Sequence, residues 1–85
     1  MSPTRTPKPP QDAALAEFGA RMKARRIELG LSQEAAARDT GIHWTNYARV
    51  ERGQQSPRVQ LVLKIARGLA TTPGALLDGL PLDDE

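Results

Sequence analysis

Apolar residues recur at helical spacing through the middle of the chain, and no stretch alternates as a strand would. Leu15, Phe18, Met22 and Leu29 mark one face of a helix over 13–29, closed by Gly30. Ser32 stands before a second helix over 33–40, where its oxygen can accept a backbone N–H that the helix start leaves orphaned. Gly41 falls where the chain must leave that helix, and glycine enters positive φ there without a Cβ penalty. Ile42, Tyr47 and Val50 then share a face of a third helix over 43–52, ended by Gly53. A polar loop, 54–57, leads to a fourth helix over 58–69, with Val59, Val62, Ile65, Ala66 and Leu69 inward. Thr72 followed by Pro73 is a cap and first-turn pair for a short fifth helix ending at Leu77. The pattern predicts a compact all-α domain of five helices over 13–78. A proline-rich arm (1–12) precedes it and an acidic tail (79–85) follows.

The stretch from Ser32 to Glu51, SQEAAARDTGIHWTNYARVE, carries the most information. Ala35, Ala36 and Ala37 are small enough for the next helix to cross closely, and Gly41 supplies the sharp turn between the two. Burying Ile42, Tyr47 and Val50 leaves Thr45, Arg49 and Arg52 outward. Two short helices so arranged can present the second to the major groove of a duplex.

These residues resemble the helix-turn-helix of the phage repressor and Cro-type (XRE-type) DNA-binding domains. Gln33 matches the usual first glutamine of that motif, Ala37 its small fifth residue and Gly41 its turn glycine. Ile42, Tyr47 and Val50 match its later apolar positions. The likeness extends through GARMKARRIELGLSQ and ERGQQSPRVQLVLKIARGLATTPGALL, covering roughly residues 15–78. Two positions depart from the pattern: Ala36 replaces a larger aliphatic residue and Thr40 an apolar one, which predicts a thinner core between helices. The resemblance implies a sequence-specific regulator of transcription that binds double-stranded DNA, a repressor of its own or a neighbouring promoter. It also implies a bacterial, phage or plasmid origin and a cytoplasmic location.

Composition sharpens this picture. The chain has 85 residues, enough for one small domain, and a formal net charge of only +2. Four of its ten acids lie in the last eight residues, so residues 1–77 carry a balance of +6, as a phosphate-binding surface requires. There is no cysteine and one histidine, which excludes disulfides, thiolate metal sites and a histidine-rich metal centre. No cofactor is implied. The arm carries four of the seven prolines, with Arg5 and Lys8. It reads either as an untethered terminus or as an arm along a phosphate backbone or minor groove.

With the third helix as the recognition helix, Trp44, Thr45, Asn46 and Arg49 come within reach of base edges. Arg49 suits guanine O6 and N7, Asn46 suits adenine N6 and N7, and Thr45 suits a thymine methyl or a phosphate. Trp44 flanks the core, where it either packs half-buried or lies over thymine methyls. His43 holds the capping position, with a phosphate contact as its other role. Gln33 and the rim Arg52, Gln54, Gln55, Ser56 and Arg58 are expected on the DNA backbone. The resemblance places Arg58 near the minor groove and pairs Arg26 with Glu51 as scaffold. Leu76, Leu77, Leu80 and Leu82 suggest a homodimer interface, which would set two recognition helices on a pseudo-palindromic operator; the alternative is that Leu76 and Leu77 close the monomer core and Leu80 and Leu82 belong to a frayed tail. A protein-interaction module, antitoxin-like or binding a transcription factor, is the competing reading. No nucleophile–base constellation suggests an enzyme.

Overall fold

The computed structural model describes residues 12–82; all of the expected arm but its last residue, and the last three residues of the acidic tail, lie outside it. Five helices follow one another: α1 (Ala13–Glu28), α2 (Gln33–Thr40), α3 (Trp44–Glu51), α4 (Val59–Gly68) and α5 (Pro73–Leu77). No strand occurs among the described residues, and none of their helices is long and apolar enough to cross a membrane.

The helix starts are written in capping side chains. Asp12 Oδ1 accepts from Leu15 N at 2.8 Å, Ser32 Oγ from Ala35 N at 3.0 Å, and Thr72 Oγ1 from Ala75 N at 3.0 Å. Each satisfies one of the N–H groups that the first turn leaves without a partner. Gly41 has φ +74°, and its N–H returns to the carbonyls of α2, so the chain turns at once into α3.

Tyr47, Phe18, Met22, Ile65, Leu69, Leu76 and Val50 form the buried centre, with Ala36, Ala37, Ile42, Val62 and Ala66 between them. Thr40, one of the departures from the family pattern, is buried as well. Its hydroxyl donates to the Ala36 and Ala37 carbonyls at 2.8 and 3.0 Å, so the polar atom is satisfied within α2. Its methyl faces Gly68 of α4, where a Cβ would overlap Thr40.

Two expectations change. Val59 was expected inward, but it begins α4 on the solvent side and is 72% exposed; the buried side starts with the partly buried Leu61. Leu76 was expected on a dimer interface, but it is 2% exposed and closes the monomer core, with Leu80 packed against the same cluster. Leu77 and Leu82 remain exposed.

Helix α1 packs closely on α3 at Gly19, where a Cβ would run into the backbone carbonyls of Val50 and Glu51. The last turn of α3 therefore rests on the α1 backbone with no side chain between. Gly19→Ala forces the helices apart and should cost about 1–3 kcal/mol, the range for overpacking a well-filled interior. Urea unfolding should show a lower midpoint at unchanged slope.

Candidate nucleic-acid interface

Helix α3 has two sharply different sides. Tyr47, Ala48, Val50 and Glu51 are buried, while Trp44, Thr45, Asn46, Arg49 and Arg52 are exposed. At 100° per residue Thr45 and Arg49 lie opposite the buried side and Asn46 on the shoulder toward Val50, while Trp44, at the helix start, falls in line with Glu51 and Ala48. Trp44 keeps half of its surface in solvent, at 50% exposure. The Arg49 side chain is exposed and makes no hydrogen bond or ion pair among the described residues, so its guanidinium is available to an external acceptor.

The inner side is fixed by a buried carboxylate. Arg26 of α1 donates from Nε to Glu51 Oε2 at 2.9 Å and from Nη2 to Glu51 Oε1 at 3.0 Å, a bidentate pair. Gln33, the first residue of α2, donates from Nε2 to the same Oε1 at 2.9 Å. Arg26 Nη1 also holds the Leu31 carbonyl at 3.0 Å, just before α2 begins. One carboxylate thus ties α1, the start of α2 and the end of α3 together. Burial pushes the Glu51 pKa up, but the hydrogen bonds from Arg26 and Gln33 outweigh it and leave the group below the ordinary glutamate range. The hydrogen bond to Glu51 likewise raises Arg26 against its partial burial. The Tyr47 hydroxyl, wholly buried close to Glu51, makes no hydrogen bond; burial first and the Glu51 charge second push its pKa well up, so it stays a neutral phenol.

The other residues singled out from the sequence fall around this helix. His43 caps it, with Nδ1 accepting from Thr45 N at 3.3 Å. Gln33 was expected on the DNA backbone, yet one of its two amide N–H groups is committed to Glu51, leaving a single donor for anything outside. Arg52 donates from Nε to Gln54 Oε1 at 3.2 Å, and Gln54 N continues the α3 ladder to Arg49 O at 2.9 Å. Gln54 and Gln55 are half-buried, whereas Ser56 and Arg58 are exposed. No side chain caps α4, whose preceding residue is Arg58.

Other basic residues, which the sequence reading did not single out, hold the fold together. Arg21 donates to the Leu76 and Asp78 carbonyls at 3.2 and 2.7 Å, closing α5 onto α1. Arg25 donates to the Leu69 and Ala70 carbonyls at 2.8 and 2.9 Å, where Ala70 has φ +55° after the end of α4. With Arg26, three arginines of α1 serve the scaffold. Positions 21 and 25 lie along the Phe18 edge of the buried side of α1, and the carbonyls they meet are brought there by the packing of α4 and α5.

A helix held rigidly from behind, with a polar and cationic outer side, is the working part of a helix-turn-helix DNA-binding domain. The helix-turn-helix domain family matches residues 17–80, and the chain belongs to that family. It is 34% identical over 50 residues to the cryptic phage CTXphi transcriptional repressor RstR of Vibrio cholerae, a match covering 59% of this chain and 45% of the relative. The chain thus spans less than half the length of that repressor. Among solved structures, it resembles the restriction-modification controller protein C.AhdI of Aeromonas hydrophila at 37% identity and a TM-score of 0.74, covering 76% of this chain and 98% of that one. A hypothetical transcription factor from Neisseria matches at 30% identity and a TM-score of 0.71, covering 91% of this chain and 86% of that one.

The buried carboxylate makes stability depend on acid. Because the folded pKa of Glu51 lies below its ordinary value of 4.5, the contribution is complete above that pH and is lost as pH falls through the folded value. Wild-type protein should therefore lose its stability advantage over Glu51→Gln progressively below about pH 4.5, as followed by urea unfolding at several pH values. Arg26→Ala, which leaves the carboxylate buried alone, should cost about 3–5 kcal/mol at neutral pH.

Proposed function

We propose that the protein is a sequence-specific regulator of transcription, a repressor, that inserts α3 into the major groove of double-stranded DNA and reads bases with Thr45 and Arg49. The observation that carries this reading is the exposed Thr45–Arg49 side of α3, set opposite a back wholly occupied by Tyr47, Val50 and the Glu51 ion pair. A guanidinium on a fixed helix can donate two parallel bonds to guanine O6 and N7. Trp44 adds an apolar surface suited to thymine methyls. His43, Arg52, Gln54, Gln55, Ser56 and Arg58 supply the contacts to the DNA backbone that fix register without reading sequence. The repressor RstR and the controller C.AhdI, each more than 30% identical to the chain, support a role in regulating transcription. Such a protein works where the DNA is, in the cytoplasm of a bacterium, and needs no chemistry of its own.

A module this small gains affinity and specificity by pairing, with two recognition helices one helical turn, about 34–36 Å, apart on a pseudo-palindromic site. With Leu76 inside the core, the large apolar side chains exposed outside α3 among the described residues are Ile27 and Leu29 at the end of α1, Leu77 and Leu82 near the C-terminal end, and Val59 and Leu63 on α4. Val59 and Leu63 are one helical turn apart and 72% and 51% exposed. We place the two-fold contact on that α4 shoulder. Leu63→Glu should give a monomer in sedimentation equilibrium at concentrations where the wild type is dimeric, with its melting temperature little changed. A wild type that stays monomeric at all concentrations would remove the dimer.

Mobility shifts with duplexes selected from a random pool test the DNA reading directly. Specific retention with a negative log–log salt slope is expected. Arg49→Ala should lose about 1–3 kcal/mol and relax the preference at one base position, whereas Arg52→Ala should weaken all duplexes alike. Undiminished, equally selective binding by Arg49→Ala would overturn the assignment of the reading side.

A further inference from the structure

Between the N-terminal half of α3 and the first turns of α4 runs an open groove of about 500 Å³. Asn46 forms part of the α3 wall, Gln60 and Lys64 part of the α4 wall, and Ser56 and Arg58 enter from the connecting loop. Leu61 is the one apolar side chain in the lining, and no carboxylate is present in it. Gln60 and Lys64 are one helical turn apart on α4, so both look to the same side. Lys64 is exposed and makes no ion pair among the described residues. The sequence pointed to Asn46 as a reader of adenine, and neither Gln60 nor Lys64 stood out.

We propose that this groove seats a backbone phosphate of the same duplex that α3 enters, and that Lys64 and Asn46 are register-fixing contacts instead of solvent and base contacts respectively. The proposal rests on the regulator reading above. Its occupant follows from the lining: two cations, Arg58 and Lys64, four neutral side chains that can donate, Asn46, Gln55, Ser56 and Gln60, and nothing that repels an anion. Position adds to it, since Asn46 sits on the shoulder of α3 nearest α4 while Thr45 and Arg49 take the centre of the exposed side. A duplex strand bordering the major groove that α3 fills therefore passes over the groove mouth. The uncapped start of α4, with its positive end of the helix dipole beside Arg58, favours the same charge. An ammonium on a flexible stem suits a phosphate, which offers charge without a fixed base edge.

The test uses fluorescence anisotropy with the full chain, a random 30-base-pair pool and duplexes selected from that pool, across a series of salt concentrations. Lys64→Gln should weaken selected and random duplexes by the same factor, leave their ratio unchanged, and reduce the log–log salt slope by about 0.9, the value of one phosphate contact. Lys64→Arg should restore the slope. Asn46→Ala should weaken every duplex equally. The proposal is overturned if Lys64→Gln keeps the wild-type slope while the wild type binds its selected duplex, and its Asn46 part is overturned if Asn46→Ala relaxes a single base position. A wild type that retains no duplex at any salt concentration would sink the regulator reading itself, an outcome recognisable before any variant is made.

Discussion

The arrangement depends on one buried carboxylate. Glu51 terminates α3, and its two oxygens take three hydrogen bonds from Arg26 and Gln33, so α3 is fastened at its far end to both α1 and α2. A buried ion pair of this kind is weak support for net stability, because removing two charges from water offsets most of their attraction. Its value lies in direction. The fork of Arg26 meets the carboxylate in a single geometry, and that geometry fixes the rotation of α3 about its own axis. A small rotation would carry Arg49 off the centre of the exposed side, and the base contact assigned to it with the rotation.

Much of this arrangement was legible from residue type and spacing alone. All five helices, their capping residues at Ser32 and Thr72, the turn at Gly41 and the inward face of Tyr47 and Val50 follow from local rules that depend on a few neighbours. What escaped was set by tertiary contact. Val59 fits the helical repeat of α4 as well as Leu61 does, and only the angle at which α4 docks decides that one is solvated and the other partly covered. Leu76 could not be told from Leu77 as core or surface for the same reason. The Arg26–Glu51 pair came from the family likeness, since 25 residues of chain separate the partners and no spacing rule connects them. The inward turn of Gln33 toward that pair, and the meeting of Asn46 with Lys64 across a groove, depend equally on where whole helices come to rest.

The arginines illustrate why counting charge misleads. Arg21, Arg25 and Arg26 count toward the basic balance of the chain, yet each places its guanidinium on carbonyls or a carboxylate that hold helix ends together. These carbonyls, at the ends of α4 and α5, would otherwise lack partners. The cations left around α3 are Arg49, Arg52, Arg58 and Lys64, fewer than the composition suggests but gathered on one side. A modest count concentrated over a short arc produces a stronger local potential than a larger number spread evenly over the surface.

The missing side chain at position 19 has a further effect. Because main chain touches main chain where α1 crosses the end of α3, the distance between these helices is a property of the polypeptide itself and is indifferent to which hydrocarbons fill the interior nearby. Drift among the neighbouring aliphatic residues can loosen or tighten the protein while its reading helix goes on pointing the same way. Preference for one target over another is then free to change by exchanging a few outward residues, with the support beneath them left alone.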